Sequence, residues 1–135
     1  MPTIKSSTIH PLQTEVHIVQ ARHVVRAAAA GLQFSLVDQT KIVTAASELA
    51  RNTIVYGKGG EMTVNIVENG LKRGVELVFS DKGPGIADMK LALQDGYTTG
   101  SGLGLGLSGA KRLSNEFEII SNPGEGTTIT IRRWK

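Results

Sequence analysis

Three short stretches of this 135-residue chain hold side chains whose types and spacing can do chemistry. In SELARN, residues 47–52, Glu48 and Asn52 stand four apart. On a helix they share one side, and at about 100° per residue that side flanks the apolar stripe instead of opposing it. A carboxylate at the margin of a core can take a proton from an attacking hydroxyl or water. A carboxamide oxygen beside it is a hard ligand suited to Mg²⁺. Taken alone, the same pair is also what an exposed polar helix face looks like.

The second stretch, DKGPGI at residues 81–86, closes an apolar strand pattern. An ionised Asp81 is acceptor-only, so it suits the exocyclic amino group of adenine and not the carbonyl that guanine presents there. Gly83 and Gly85 remove side chains and let a flat base approach the backbone. A plain turn that uses Asp and Gly for their conformations fits the same residues. The third stretch, GYTTGSGLGLGLSG, has glycines at 96, 100, 102, 104, 106 and 109 and runs into a helical pattern with no acidic residue before Asn115. Backbone N–H groups at a helix start bind anions, and glycines let phosphates come close. Thr98, Thr99 and Ser101 add hydroxyl donors, and Lys111 adds a candidate charge. No strand pattern directly precedes these glycines, and no GxxxxGK[ST] run is present, so neither a Rossmann fingerprint nor a P-loop fits. A surface loop remains the simple alternative for this stretch by itself.

The elements that must position these residues follow from periodicity. Residues 3–13 read as an extended segment broken by Pro11. Thr14 is placed to cap a first helix, whose apolar positions are Ile18, Ala21, Val25, Ala28, Ala29 and Leu32, with Gly31 at its end. Ser35 and Asp38 form a capping-box pattern for a second helix. Its core stripe is Ile42, Ala45, Ala46, Leu49 and Thr53, and Gly57, Gly59 and Gly60 end it. The period then changes to two. Met62, Val64 and Ile66 share one strand face, and Val75, Leu77 and Phe79 share another. Residues 69–74 between them read as a hairpin connection. A short helix over 88–94, the glycine-rich loop, a helix over 105–113 and two strands over 116–121 and 127–133 complete the order. This order predicts an α+β fold: a two-layer sandwich with a mostly antiparallel sheet and helices on one face. It is expected to form a single domain spanning residues 1–135.

Composition narrows the function classes. Hydrophobic residues make up 40% and charged residues 20%, as in ordinary soluble domains. No run is long enough to span a bilayer, and the N-terminus lacks the apolar core of a signal peptide. Cysteine is absent, which excludes disulfides and thiolate metal sites. These features point to a cytoplasmic protein with no membrane partner. The net charge of +3 is spread along the chain except at Arg132, Arg133 and Lys135, and aromatic content is 4%. That leaves few stacking platforms for nucleic acid, and a solvated surface accounts for the charge.

The three stretches in this order resemble the GHKL (Bergerat-fold) ATPase and kinase superfamily. SELARN matches its N box, DKGPGI its G1 box and GSGLGLGL its G2 box, while GEGTTITI near the C-terminus resembles its last hairpin. The resemblance spans roughly residues 14–133. Within the superfamily the chain is most similar to stand-alone serine/threonine-protein kinases of sigma-factor regulation. It shares VQARHVVRAAAAGL, DQTKIVTAASELARN and DGYTTGSGLGLGLSGAKRL with stressosome switch kinases.

That resemblance implies specific roles. Glu48 is the general base, Asn52 holds Mg²⁺, and Asp81 reads adenine with Gly83, Gly85 and Ile86 lining its approach. Thr98, Thr99, Gly100, Ser101, Gly102, Leu103, Gly104, Leu105 and Gly106 close over the phosphates of ATP, and Thr127 supports the adenine pocket. The implied partner is a STAS-domain protein as substrate, with a PP2C-type phosphatase activated downstream. An anti-sigma factor that sequesters a sigma factor, and is controlled by a STAS-domain antagonist, shares the same boxes. A histidine kinase module fits less well: none of His10, His17 and His23 sits in an HE-x-x-[NT]-P setting, and each reads as a surface or packing histidine. A clamp-type ATPase would need further domains.

Overall fold

The computed structural model describes residues 2–85 and 107–135. Five strands form one sheet: β1 (Thr3–Leu12), β2 (Gly60–Asn69), β3 (Lys72–Asp81), β4 (Glu116–Asn122) and β5 (Gly126–Trp134). Their spatial order is β1-β2-β3-β5-β4, and every neighbouring pair is antiparallel. Three helices lie in the described residues: α1 (Glu15–Gly31), α2 (Leu36–Val55) and α3 (Leu107–Arg112). This is the expected α+β sandwich. None of the described helices is long and apolar enough to cross a membrane.

The two apolar strand faces read from the sequence meet in register. Met62 faces Phe79, Val64 faces Leu77, and Ile66 faces Val75. The same face continues through Ile129 and Ile131 on β5. On α2, Ile42, Ala45, Ala46 and Leu49 are wholly buried, and on α1 so are Val25 and Ala29. These helix and strand residues form one continuous core. Each large side chain buried there contributes about 1.5–3 kcal/mol.

The starts of α1 and α2 are both capped. Ser35 accepts the backbone N–H of Asp38 through its hydroxyl at 3.1 Å. At α1 the reciprocal partner is His17. Its Nδ1 accepts the N–H of Gln13 at 3.0 Å and of Thr14 at 3.2 Å, while its own N–H donates to the Thr14 carbonyl at 2.9 Å. A ring nitrogen does here what a Glu side chain does in a capping box.

Two expectations need correction. Pro11 does not interrupt β1, because it pairs with Glu61 on an edge strand, where a missing N–H is tolerated. The β2–β3 connection is tighter than residues 69–74: Asn69 pairs with Lys72 around Gly70, which adopts φ 65°. Gly74 belongs to β3, where a Cβ would lie 2.8 Å from the Trp134 ring, so its smallness serves close packing. The described part of the third helix, Leu107–Arg112, falls within the expected 105–113. The expected helix over 88–94 lies outside them.

Candidate nucleotide site

The C-terminal half of α2 carries Glu48 and Asn52, one turn apart. Leu49 and Thr53 anchor that half in the core, and the Thr53 hydroxyl donates to the Leu49 carbonyl at 2.9 Å. Glu48 is therefore held at the margin with its side chain 43% exposed, where it meets Arg51 at 3.5 Å. An exposed pair at that distance contributes little, so Glu48 stays available to an incoming group. Asn52 is 8% exposed, yet no described group hydrogen-bonds its carboxamide. With no partner among the described residues, the carboxamide is open to a ligand.

Asp81 ends β3, directly opposite Thr127 on β5. Its Oδ1 accepts the Gly83 N–H at 2.8 Å. Burial pushes its carboxyl above the usual Asp value, against the pull of the Gly83 and Thr127 backbone N–H groups. Thr127 is 5% exposed, and its hydroxyl lies 2.7 Å from that of Ser121. Gly85 takes φ 75°, which favours glycine, and any Cβ there would run into the Asn122 carbonyl. The neighbouring Pro84 carbonyl accepts the Gly124 N–H at 2.7 Å. The 81–85 loop is thus wedged between the end of α2 and the β4–β5 turn.

Sequence reasoning missed the other wall of this wedge. The Tyr56 hydroxyl donates to the Gly85 carbonyl at 2.9 Å, and Gly57 packs flat against the Asp81 carboxylate. One-dimensional spacing gives no sign of these contacts, since a glycine after a helix already has a reason to be there.

Asp81, Gly83 and Gly85 thus meet the end of α2 through Tyr56 and Gly57, with Thr127 opposite Asp81 on β5, while Asn52 and Glu48 lie one and two turns further back along the same helix. Ile86, Thr98, Thr99, Gly100, Ser101, Gly102, Leu103, Gly104, Leu105 and Gly106 lie outside the described residues. Lys111 is in the last turn of α3. The donor set fits Mg-ATP: a half-buried acceptor for an amino group, a cradle that glycine alone permits, and an amide oxygen with no partner among the described residues. No cluster of three or more acidic or histidine side chains among the described residues could hold a metal by itself. Mg²⁺ commonly takes only one or two protein oxygens and the rest from phosphates and water.

Comparison with known proteins gives the family. Residues 37–135 match the family model of histidine kinase-, DNA gyrase B-, and HSP90-like ATPases. The chain is 44% identical to the serine/threonine-protein kinase RsbT of Bacillus subtilis over 123 residues, 91% of this chain and 92% of that one. It is 33% identical to an anti-sigma F factor of a Thermoanaerobacter species over 84% of this chain and 82% of that one. Among solved structures, the RsbU and RsbW domains of Rv1364c from Mycobacterium tuberculosis superpose with a TM-score of 0.65 at 21% identity, covering 97% of this chain and 33% of the other. One from the SiaB–SiaC complex of Pseudomonas aeruginosa gives 0.55 at 18% identity, covering 98% and 91%. At these identities the structural likeness concerns the fold. The chain belongs to the histidine kinase-, DNA gyrase B-, and HSP90-like (GHKL) ATPase family.

Proposed function

We propose that this protein is a Mg-ATP-dependent serine/threonine protein kinase that acts as a cytosolic regulatory switch. It phosphorylates a STAS-domain partner and, once released, activates a PP2C-type phosphatase in a sigma-factor or stress signalling pathway. The observation that carries this reading is the 44% identity with a serine/threonine-protein kinase along 91% of the chain. The geometry supports it. Glu48 projects half-exposed from the helix that also carries Asn52, where a partner hydroxyl can reach it.

In this reading Asp81 accepts a hydrogen bond from the adenine amino group, and the backbone around Gly83 and Gly85 receives the ring. The partner's serine or threonine oxygen attacks the γ-phosphorus, the bond to the β,γ-bridging oxygen breaks, and ADP leaves. Glu48 takes the hydroxyl proton. Asn52 would hold Mg²⁺, which would supply charge to offset that of the phosphates. Positioning and electrostatics dominate such transfers.

The test is incubation of the protein with Mg²⁺, γ-labelled ATP and a purified STAS-domain protein. Acid-stable label should appear on the partner and fall at least about 100-fold with Glu48→Ala, while ATP binding persists. Equal loss of binding and transfer would remove Glu48 as the base. The 33% identity with anti-sigma F factors favours a second reading, in which the chain sequesters a sigma factor under control of a STAS-domain antagonist. Stable capture of a purified sigma factor would support that one.

A further inference from the structure

Helix α2 does not end in solvent. The Asn52 carbonyl accepts both the Tyr56 and the Gly57 N–H at 3.0 Å. This fixes residues 56 and 57 one turn beyond the carboxamide assigned to the metal. From there they reach the 81–85 loop in two ways. The Tyr56 hydroxyl holds the Gly85 carbonyl at 2.9 Å. Gly57 presents bare backbone to both Gly83 and Asp81. A Cβ on Gly83 would lie 2.7 Å from the Gly57 carbonyl oxygen and 2.8 Å from its Cα. A Cβ on Gly57 would lie 2.5 Å from Oδ2 of Asp81 and 2.7 Å from its Cβ. Such separations are far inside ordinary contact.

Asp81 cannot admit a side chain at position 57 without leaving its present contacts. Its Oδ1 is fixed by the Gly83 N–H, its backbone is paired with Thr127, and Gly126 is packed against its carbonyl. A methyl group at 57 would rotate the carboxylate off these donors and away from its present aim.

We infer that Gly57 is a specificity-determining position and Tyr56 a positioning residue for nucleotide choice, both acting through Asp81. Gly57 leaves the space in which the carboxylate can face an amino group. Tyr56 pins the loop whose Gly83 N–H holds that carboxylate in place. The inference rests on the reading of Asp81 as the adenine acceptor. It adds that the base reader is set from beneath by the same helix that carries Glu48 and Asn52, so that base recognition and phosphate chemistry share one rigid element.

The test compares Mg-ATP with Mg-ITP, whose base carries a carbonyl where adenine has its amino group. Dissociation constants are measured by calorimetry on the full chain, with thermal unfolding in parallel. The wild type should prefer ATP at least tenfold. Gly57→Ala should bring the two nucleotides within about twofold of each other, by losing ATP affinity while ITP affinity holds. Tyr56→Phe adds no volume and keeps the ring, so it serves even where Gly57→Ala does not fold. It should narrow the preference at least threefold. A purely structural role would weaken both nucleotides alike and leave the ratio intact. A wild-type ratio in either folded variant overturns the inference. A wild type that does not distinguish ATP from ITP overturns the reading of Asp81 itself, and this inference with it.

Discussion

Arg133 on β5 and Asp38 in the first turn of α2 form an ion pair at 2.8 Å, 95 residues apart in sequence. The same guanidinium donates to the Leu113 carbonyl, just beyond α3, also at 2.8 Å. One side chain, 13% exposed, thus ties the start of α2, the end of α3 and the last strand together. Since α2 carries the proposed base, the clasp fixes the far end of the helix that presents it.

The Arg133 guanidinium holds the Asp38 carboxyl below its usual 3.8, with the Ser35 hydroxyl assisting. A depressed folded-state value means that this contribution is present above the unfolded value and lost as pH falls through the folded one. Asp38→Asn should therefore lower the melting temperature at pH 7, and its unfolding curve should begin to converge on that of the wild type only as pH falls below 3.8 toward the depressed folded value. Arg133→Ala, which also strips the Leu113 carbonyl of its donor, should cost about 2 kcal/mol in urea unfolding. A gap between wild type and Asp38→Asn that persists unchanged into acid would show that the pair contributes nothing through charge.

Much of this architecture is legible in the sequence because it follows from period and capping. The Ile42–Ala45–Ala46–Leu49 stripe and the Met62 and Val75 strand faces are local patterns, and each lies where its period puts it. Arg133 is different. From sequence it belongs to a basic C-terminal cluster, yet in the fold Arg132 and Arg133 are both committed to ion pairs. Glycine is ambiguous for a similar reason. Gly74 reads as a turn residue and is a packing residue, while Gly57 reads as a helix stop and also forms the floor under Asp81. The boxes mark Glu48, Asn52 and Asp81 as chemistry. Which residues aim them depends on contacts between segments far apart in sequence, such as 57 against 81, and no local pattern encodes those.

Asp81 should make nucleotide binding and stability respond to acid in opposite directions. Burial raises its carboxyl above 3.8. The folded state therefore holds this proton more tightly than the unfolded chain does, and protonation favours the fold between the raised value and 3.8. The protonated acid is a poorer acceptor for the adenine amino group, so ATP affinity should fall over the same window. Asp81→Asn should bind ATP about tenfold more weakly near neutrality and show neither trend. Calorimetry and thermal melts across pH 4–7 check both arms. An ATP affinity as acid-sensitive in Asp81→Asn as in the wild type would assign the titration to another group.

The sheet face opposite the helices offers a last and separate prediction. Asn65, Glu76, Arg132 and Glu116 stand side by side in register across four strands. The Asn65 amide donates to Glu76 at 2.7 Å, and Arg132 donates to Glu76 at 2.6 Å and to Glu116 at 3.0 Å. The Trp134 indole N–H closes the row on Glu116. Glu76 is 7% exposed at its centre, whereas the Glu116 side chain is 46% exposed at its end. Removing Glu76 leaves a buried amide donor without its acceptor and takes from Arg132 its better-shielded partner. Glu76→Ala should therefore cost about 3 kcal/mol, and Glu116→Ala less than about 1 kcal/mol. Salt separates them further, because screening reaches the exposed pair and hardly reaches the shielded one. In urea unfolding at low and high salt, the Glu76→Ala deficit should survive 1 M salt, where the Debye length is about 3 Å, and the Glu116→Ala deficit should vanish. Phosphotransfer by folded Glu76→Ala should be unchanged, since this face lies across the sheet from α2. Equal costs for the two variants would mean that the row is an ordinary surface network and that Glu76 gains nothing from its central place.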